Sequence, residues 1–123
     1  MHDTSVLIAE DDPLVLDILV RICKEMFADI VVRDSGSEAM RALELRSFDL
    51  LITDLRMPGE SGLTLLAESR RRAPTRPTLL ISGYADEDVV GEARRLGAEV
   101  LHKPFGANVL RQAIRTLCPD LPG

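Results

Sequence analysis

The chain has 123 residues, 46% of them apolar and 28% charged, enough to bury a core without disulfide or metal staples. With 20 acidic and 15 basic side chains its formal charge is −5, which argues against direct nucleic-acid binding, and the absence of Trp argues against stacking on bases or sugars. No apolar run reaches membrane-spanning length, the N-terminus lacks a signal-peptide pattern, and Cys23 and Cys118 form neither a metal nor a redox motif, so a cytoplasmic protein with reduced thiols is expected.

Val6-Leu7-Ile8-Ala9 opens the chain as a continuous apolar run, followed by Leu14, Val15, Ile18, Leu19 and Ile22 at helical spacing. Ile30-Val31-Val32 is the second run, and Ser37 to Leu45, with Ala39, Ala42 and Leu43, reads as the second helix. After Leu50-Leu51-Ile52, Ser61 is placed to cap a helix carrying Leu65 and Leu66. Leu79-Leu80-Ile81 precedes a helix with Asp86 as its cap, Val89, Val90, Ala93 and Leu96 on its apolar face, and Gly97 as its stop. Val100-Leu101 and a last helix with Leu110, Ala113, Ile114 and Leu117 complete the series.

Runs that are continuous rather than alternating predict strands buried on both faces of a parallel sheet. Strand and helix alternating five times predict a doubly wound α/β sandwich. The whole of residues 1–123 is expected to form one domain, with its core over about 5–117 and 118–123 as a frayed tail.

Ligands of such sheets bind at the carboxyl ends of the strands. Glu10-Asp11-Asp12 follows the first run, Asp54 the third, Ser82-Gly83 the fourth and His102-Lys103-Pro104 the fifth. Each group has an ordinary reading. The acidic trio before Pro13 could open a helix, with an aspartate as its cap and the proline in its first turn. Asp54 could be a loop acid, Ser82 a turn residue and Lys103 a surface lysine. Four turns supplying complementary groups by accident is the harder explanation.

The chemistry follows from the charges. Carboxylates a few ångströms apart repel by roughly 4 kcal/mol at an effective dielectric near 20. A hard divalent cation relieves that repulsion, and an all-oxygen ligand set selects Mg²⁺. A carboxylate beside Mg²⁺, an ammonium and a hydroxyl is equipped to take up a phosphoryl group as an aspartyl phosphate.

In this combination the chain resembles the receiver domains of two-component response regulators of the chemotaxis-regulator-like type, from about Ser5 to Leu117. The matching features are the acidic pair after strand one, Asp54 in D-L-R-M-P-G-x-S-G, Ser82 after strand four, and Lys103-Pro104 after strand five. The resemblance implies a flavodoxin-like (βα)5 fold with strand order 2-1-3-4-5. It implies Asp54 as phosphoacceptor, Asp12 as a direct ligand of Mg²⁺ (or Mn²⁺), Asp11 as a ligand through water, and the backbone carbonyl of Arg56 completing the set. Lys103, preceding a cis peptide, would pair with the phosphoryl group and Ser82 would contact it.

The same resemblance implies a sensor histidine kinase or histidine phosphotransfer protein as donor, a downstream protein effector, and catalysis by the domain of its own phosphorylation and dephosphorylation. A monomer is expected, with pairing through the fourth helix, fifth strand and fifth helix as a family-level alternative. Arg56 and Tyr84 stand where relatives tune the phosphate lifetime. Val100 stands where many relatives carry a Tyr or Phe whose ring moves on activation, so that ring switch is not available there.

Three rivals fit less well. A phosphorylation-independent adaptor of this fold would be expected to have lost an acid or the lysine. A phosphatase of the haloacid dehalogenase type would place its nucleophile on the first strand with a second acid two residues on, and here Arg56 follows Asp54 at that spacing. In a flavin-binding flavodoxin, Glu10-Asp11-Asp12 would repel the flavin phosphate.

Overall fold

The computed structural model describes residues 3–83 and 87–121. Its elements, in chain order, are β1 (Ser5–Ala9), α1 (Pro13–Cys23), β2 (Asp29–Arg33), α2 (Gly36–Leu45), β3 (Leu50–Asp54), α3 (Gly62–Arg72), β4 (Thr78–Ser82), α4 (Glu87–Arg95), β5 (Glu99–His102) and α5 (Ala107–Leu117). The strands form one parallel sheet in the order β2-β1-β3-β4-β5. The chain runs outward from β1 to β2, then crosses back over β1 to β3. The strand order therefore reverses between β1 and β3, where their carboxyl ends open a crevice.

The continuous apolar runs arise because the sheet is covered on both faces. Val6, Ile8, Leu50, Ile52, Leu79 and Ile81 point into one core with Leu19 and Ile22 of α1 and Leu110 and Ile114 of α5. Leu7, Ala9, Leu51 and Leu80 point into the other, with residues of α2, α3 and α4. Side chains alternate across a strand, so successive residues of each run enter opposite cores, and β1, β3 and β4 are buried throughout, with polar residues confined to their ends.

Local chemistry sets the helix boundaries. Asp12 Oδ1 accepts from Leu14 N at 2.9 Å, and Pro13 occupies the first helical position of α1. Ser35 caps α2 through Glu38 N, so that helix begins at Gly36, one residue ahead of the expected Ser37. Ser61 caps α3 through Thr64 N at 3.3 Å, as expected. Gly97, at φ +86°, stops α4 with Ala98 N donating to Ala93 O and Gly97 N to Arg94 O. The expected cap Asp86 lies outside the described residues.

The segment after α5 is not frayed over its described length. Leu121 N donates to Cys118 O at 3.2 Å, and both side chains pack against the α1–α5 core. Cys23 and Cys118 are free thiols at the ends of α1 and α5. Burial pushes the Cys23 thiol up to about 12, which makes it a packing group at neutral pH.

Candidate functional site

The strand registers level the site residues. Ala9 pairs with Thr53 and Asp54 with Ile81, so Glu10, one residue beyond Ala9, comes level with Asp54. Glu10 extends the edge of β1 by donating its N–H to Arg33 O at 3.0 Å, and its side chain is fully buried. Ser82 pairs with His102, and Lys103 N donates to Ser82 O at 2.8 Å, which brings Lys103 over the same edge. The Lys103–Pro104 peptide is cis, as expected.

Asp54 ends β3 almost fully buried, with Oδ1 accepting from Leu55 N at 2.8 Å and Oδ2 lying 3.3 Å from Lys103 Nζ. A bend follows: Gly59 adopts φ +82°, a conformation that other residues rarely tolerate. Gly36 N donates to Pro58 O, tying the bend to the start of α2. α3 then begins directly beneath the site, and a Cβ at Gly62 would collide with the carbonyl oxygen of Asp54. Asp54, Leu55, Arg56, Ser82, Gly83 and Lys103 line a cleft of about 140 Å³.

The acidic cluster differs by one residue from the expected one. Glu10, Asp11 and Asp54 each offer an oxygen lying within 4.8 Å of the others. Asp12 is instead committed to the N-terminus of α1, where its carboxylate satisfies Leu14 N. The helix opening and the acidic site both exist, but they use different residues of the trio. Glu10, not singled out from the sequence as a site residue, takes the innermost place. Its Oε2 accepts from Asp11 N and Asp12 N, both at 3.1 Å. Its Oε1 is buried without a hydrogen-bond partner, 3.6 Å from Lys103 Nζ.

These contacts govern the charges. Burial pushes the Glu10 carboxyl up to about 7; the Asp12 N–H opposes the rise, the neighbouring Asp54 carboxylate adds to it, and the Lys103 ammonium also opposes it. For Lys103, burial works against the ammonium, but the Asp54 and Glu10 carboxylates outweigh it and raise its basicity. The cluster thus holds more negative charge than one lysine neutralises. An orphaned carboxylate oxygen among three acids, with only oxygen donors, fits a hard divalent cation.

Arg56 is exposed at the cleft. Val100 is half-buried on β5 and packs, with Val89 and Leu96, against the core beneath α2, α3 and α4. Tyr84 lies outside the described residues. No helix among the described residues is long and apolar enough to cross a membrane.

Comparison with known proteins agrees with this fold. The family model of the response regulator receiver domain matches residues 6–115. The response regulator protein FleR of Pseudomonas aeruginosa is 37% identical over 121 residues, which is 97% of this chain and 26% of that protein. The DNA-binding transcriptional regulator NtrC of Klebsiella pneumoniae is 33% identical over 99 residues, 80% of this chain and 21% of that protein. The chain thus spans about a quarter of the length of these curated relatives. A response regulator receiver domain protein from Clostridium thermocellum superposes with a TM-score of 0.82 at 27% identity, covering 94% of both chains. The fold, the site at the carboxyl edge of the sheet and the family match together establish that the chain belongs to the response regulator receiver domain family.

Proposed function

We propose that this receiver domain takes a phosphoryl group from a phosphohistidine onto Asp54 and relays the change to a downstream protein effector. The observation that carries this reading is the Asp54 carboxylate, buried and oriented by Leu55 N–H, with Lys103 Nζ 3.3 Å from its other oxygen. An Asp54 oxygen attacks phosphorus as the phosphorus–nitrogen bond of the donor breaks, and the departing imidazole keeps that electron pair. Lys103 offsets charge on the transferred oxygens, and the Ser82 hydroxyl at the cleft wall donates to one of them. Glu10, Asp11 and Asp54 would hold Mg²⁺ or Mn²⁺ with the backbone carbonyl of Arg56, and the cation would supply further charge neutralisation at the phosphoryl oxygens. In this assignment Glu10 and Asp11 take the places expected of Asp11 and Asp12.

A sensor histidine kinase or a histidine phosphotransfer protein in the cytoplasm is the donor this chemistry calls for. With Val100 in place of a movable ring, the signal leaves by another route than a ring swing on β5. Pairing through the α4–β5–α5 face is tested by sedimentation with and without a phosphoryl mimic.

The test of transfer uses phosphoramidate, a small donor with the same phosphorus–nitrogen bond. One phosphoryl group should be gained with Mg²⁺ and none with a chelator. Equal labelling under both conditions contradicts the metal's role, and no labelling in either favours the adaptor reading.

A further inference from the structure

The edge of the sheet opposite Asp54 gathers positive charge in a chain whose formal charge is −5. There the C-terminal ends of α2 and α3 lie side by side over a cleft of about 300 Å³, lined by Arg46, Arg72 and Arg76 together with Glu44, Ser47 and Leu45. Helix C-termini favour cations. That accounts for Arg72 in the last turn of α3 and for Arg46 at the C-cap of α2. It does not account for Arg76, which lies beyond α3 in the connection to β4.

Arg76 is half-buried. Its Nη1 donates to the buried Ser69 Oγ at 3.1 Å, while its Nε is buried with no hydrogen-bond partner. A charged donor left in that state keeps its desolvation cost uncompensated, so the fold retains an unfavourable group here. Burial and the nearby Arg72 guanidinium both work against the Arg76 charge, and Asp49 opposes them only in part.

Among the neighbouring cations, the Arg71–Arg72 pair is incompletely balanced. Arg71 and Arg72 share the single carboxylate of Glu68. Arg46 pairs with Asp29 at 2.7 Å and lies over the Phe48 ring. Among the described residues Glu44 is the one acid in the cleft lining itself, against three guanidiniums, with Asp29 and Glu68 pairing with Arg46 and Arg72 from beside it.

We propose that this cleft is a second ligand site, for a phosphate group held by the guanidiniums of Arg72 and Arg76 with Arg46 as the third cation. Guanidinium forks match tetrahedral oxyanions in geometry as well as charge. Leu45 stands in the lining at 77% exposure and offers apolar contact to the carbon body of a phosphomonoester. The site is separated from Asp54 by the length of the strands and does not depend on aspartyl phosphorylation.

The experiment titrates inorganic phosphate and, separately, phenyl phosphate into the isotope-labelled protein, with chelator present and ionic strength matched by chloride. Amide resonances are followed in the wild type and in Arg72→Gln and Arg76→Gln. Saturable shifts at Ser69, Ala73 and Arg76 are expected, with a midpoint on the order of millimolar and a weakening of at least about tenfold in each variant. Tighter phenyl phosphate identifies a monoester as the ligand, and equal or tighter inorganic phosphate identifies the free anion. Arg72→Gln leaves the Arg76–Ser69 bond in place, so it tests the site even if Arg76→Gln is poorly folded. Linear shifts, shifts confined to the Asp54 cleft, or unchanged midpoints in Arg72→Gln overturn the proposal.

Discussion

Lys103 Nζ lies 3.3 Å from Asp54 Oδ2, and the same ammonium lies 3.6 Å from the buried Glu10 Oε1. One cation is thus divided between two carboxylates, one at the end of β3 and the other just past β1. In the absence of a divalent ion the site is overcharged, and several of its measurable properties follow from that.

The first concerns pH. Glu10 titrates near 7 in the folded chain against an ordinary value of 4.5, so between those values the native state binds more protons than the unfolded state. Stability must then fall as pH rises through that window, by up to about 3 kcal/mol from this group. Chemical denaturation in chelator at pH 5 and pH 8 should show the loss in wild type and a clearly smaller one in Glu10→Gln. The variant should be the more stable of the two at pH 8. Equal pH dependence in both would remove Glu10 as the source.

The second separates the two acids that follow Glu10. Asp12→Ala removes the cap of α1 and should cost about 1 kcal/mol while leaving Mg²⁺-dependent stabilisation intact. Asp11→Ala should abolish the Mg²⁺-induced rise in melting temperature. The reverse pattern would restore Asp12 as the direct ligand.

This one-residue difference shows what was legible in the sequence and what was not. The order of elements, the Ser61 cap, the Gly97 stop and the edge carrying Asp54, Ser82 and Lys103 all follow from apolar runs and the residues that end them. The trio Glu10-Asp11-Asp12 offers two jobs, a cap and a metal site, and its residue types suit both. Only the register of β1 against β3 decides, because it carries Glu10 inward, level with Asp54, and leaves Asp12 at the helix start. The packing of Leu121 against the α1–α5 core is not legible for a related reason: a single apolar residue beyond the last helix gives no sign of where it packs.

The third concerns the floor of the site. Gly62→Ala places a methyl group against the Asp54 carbonyl and should cost about 1–3 kcal/mol by overpacking. It should also slow phosphorylation, because the bend after Asp54 must shift. Unchanged stability by denaturant titration would show that α3 can yield at no cost.

The fourth concerns phosphate lifetime. Arg56 is exposed at the cleft without being placed to transfer the phosphoryl group, so Arg56→Ala should still be labelled at Asp54 but lose the label at a different rate. Replacing Tyr84 should act likewise. Decay curves of the purified phosphorylated proteins would test both, and lifetimes unchanged in both variants would exclude these positions as modulators.

The most direct measurement is intact-mass analysis after incubation with acetyl phosphate and Mg²⁺. One phosphoryl group should be added, removable by hydroxylamine, mapping to the peptide that contains Asp54, and absent in Asp54→Asn. A label that survives hydroxylamine, persists in Asp54→Asn, or never forms despite bound Mg²⁺ would contradict phosphoryl transfer to Asp54.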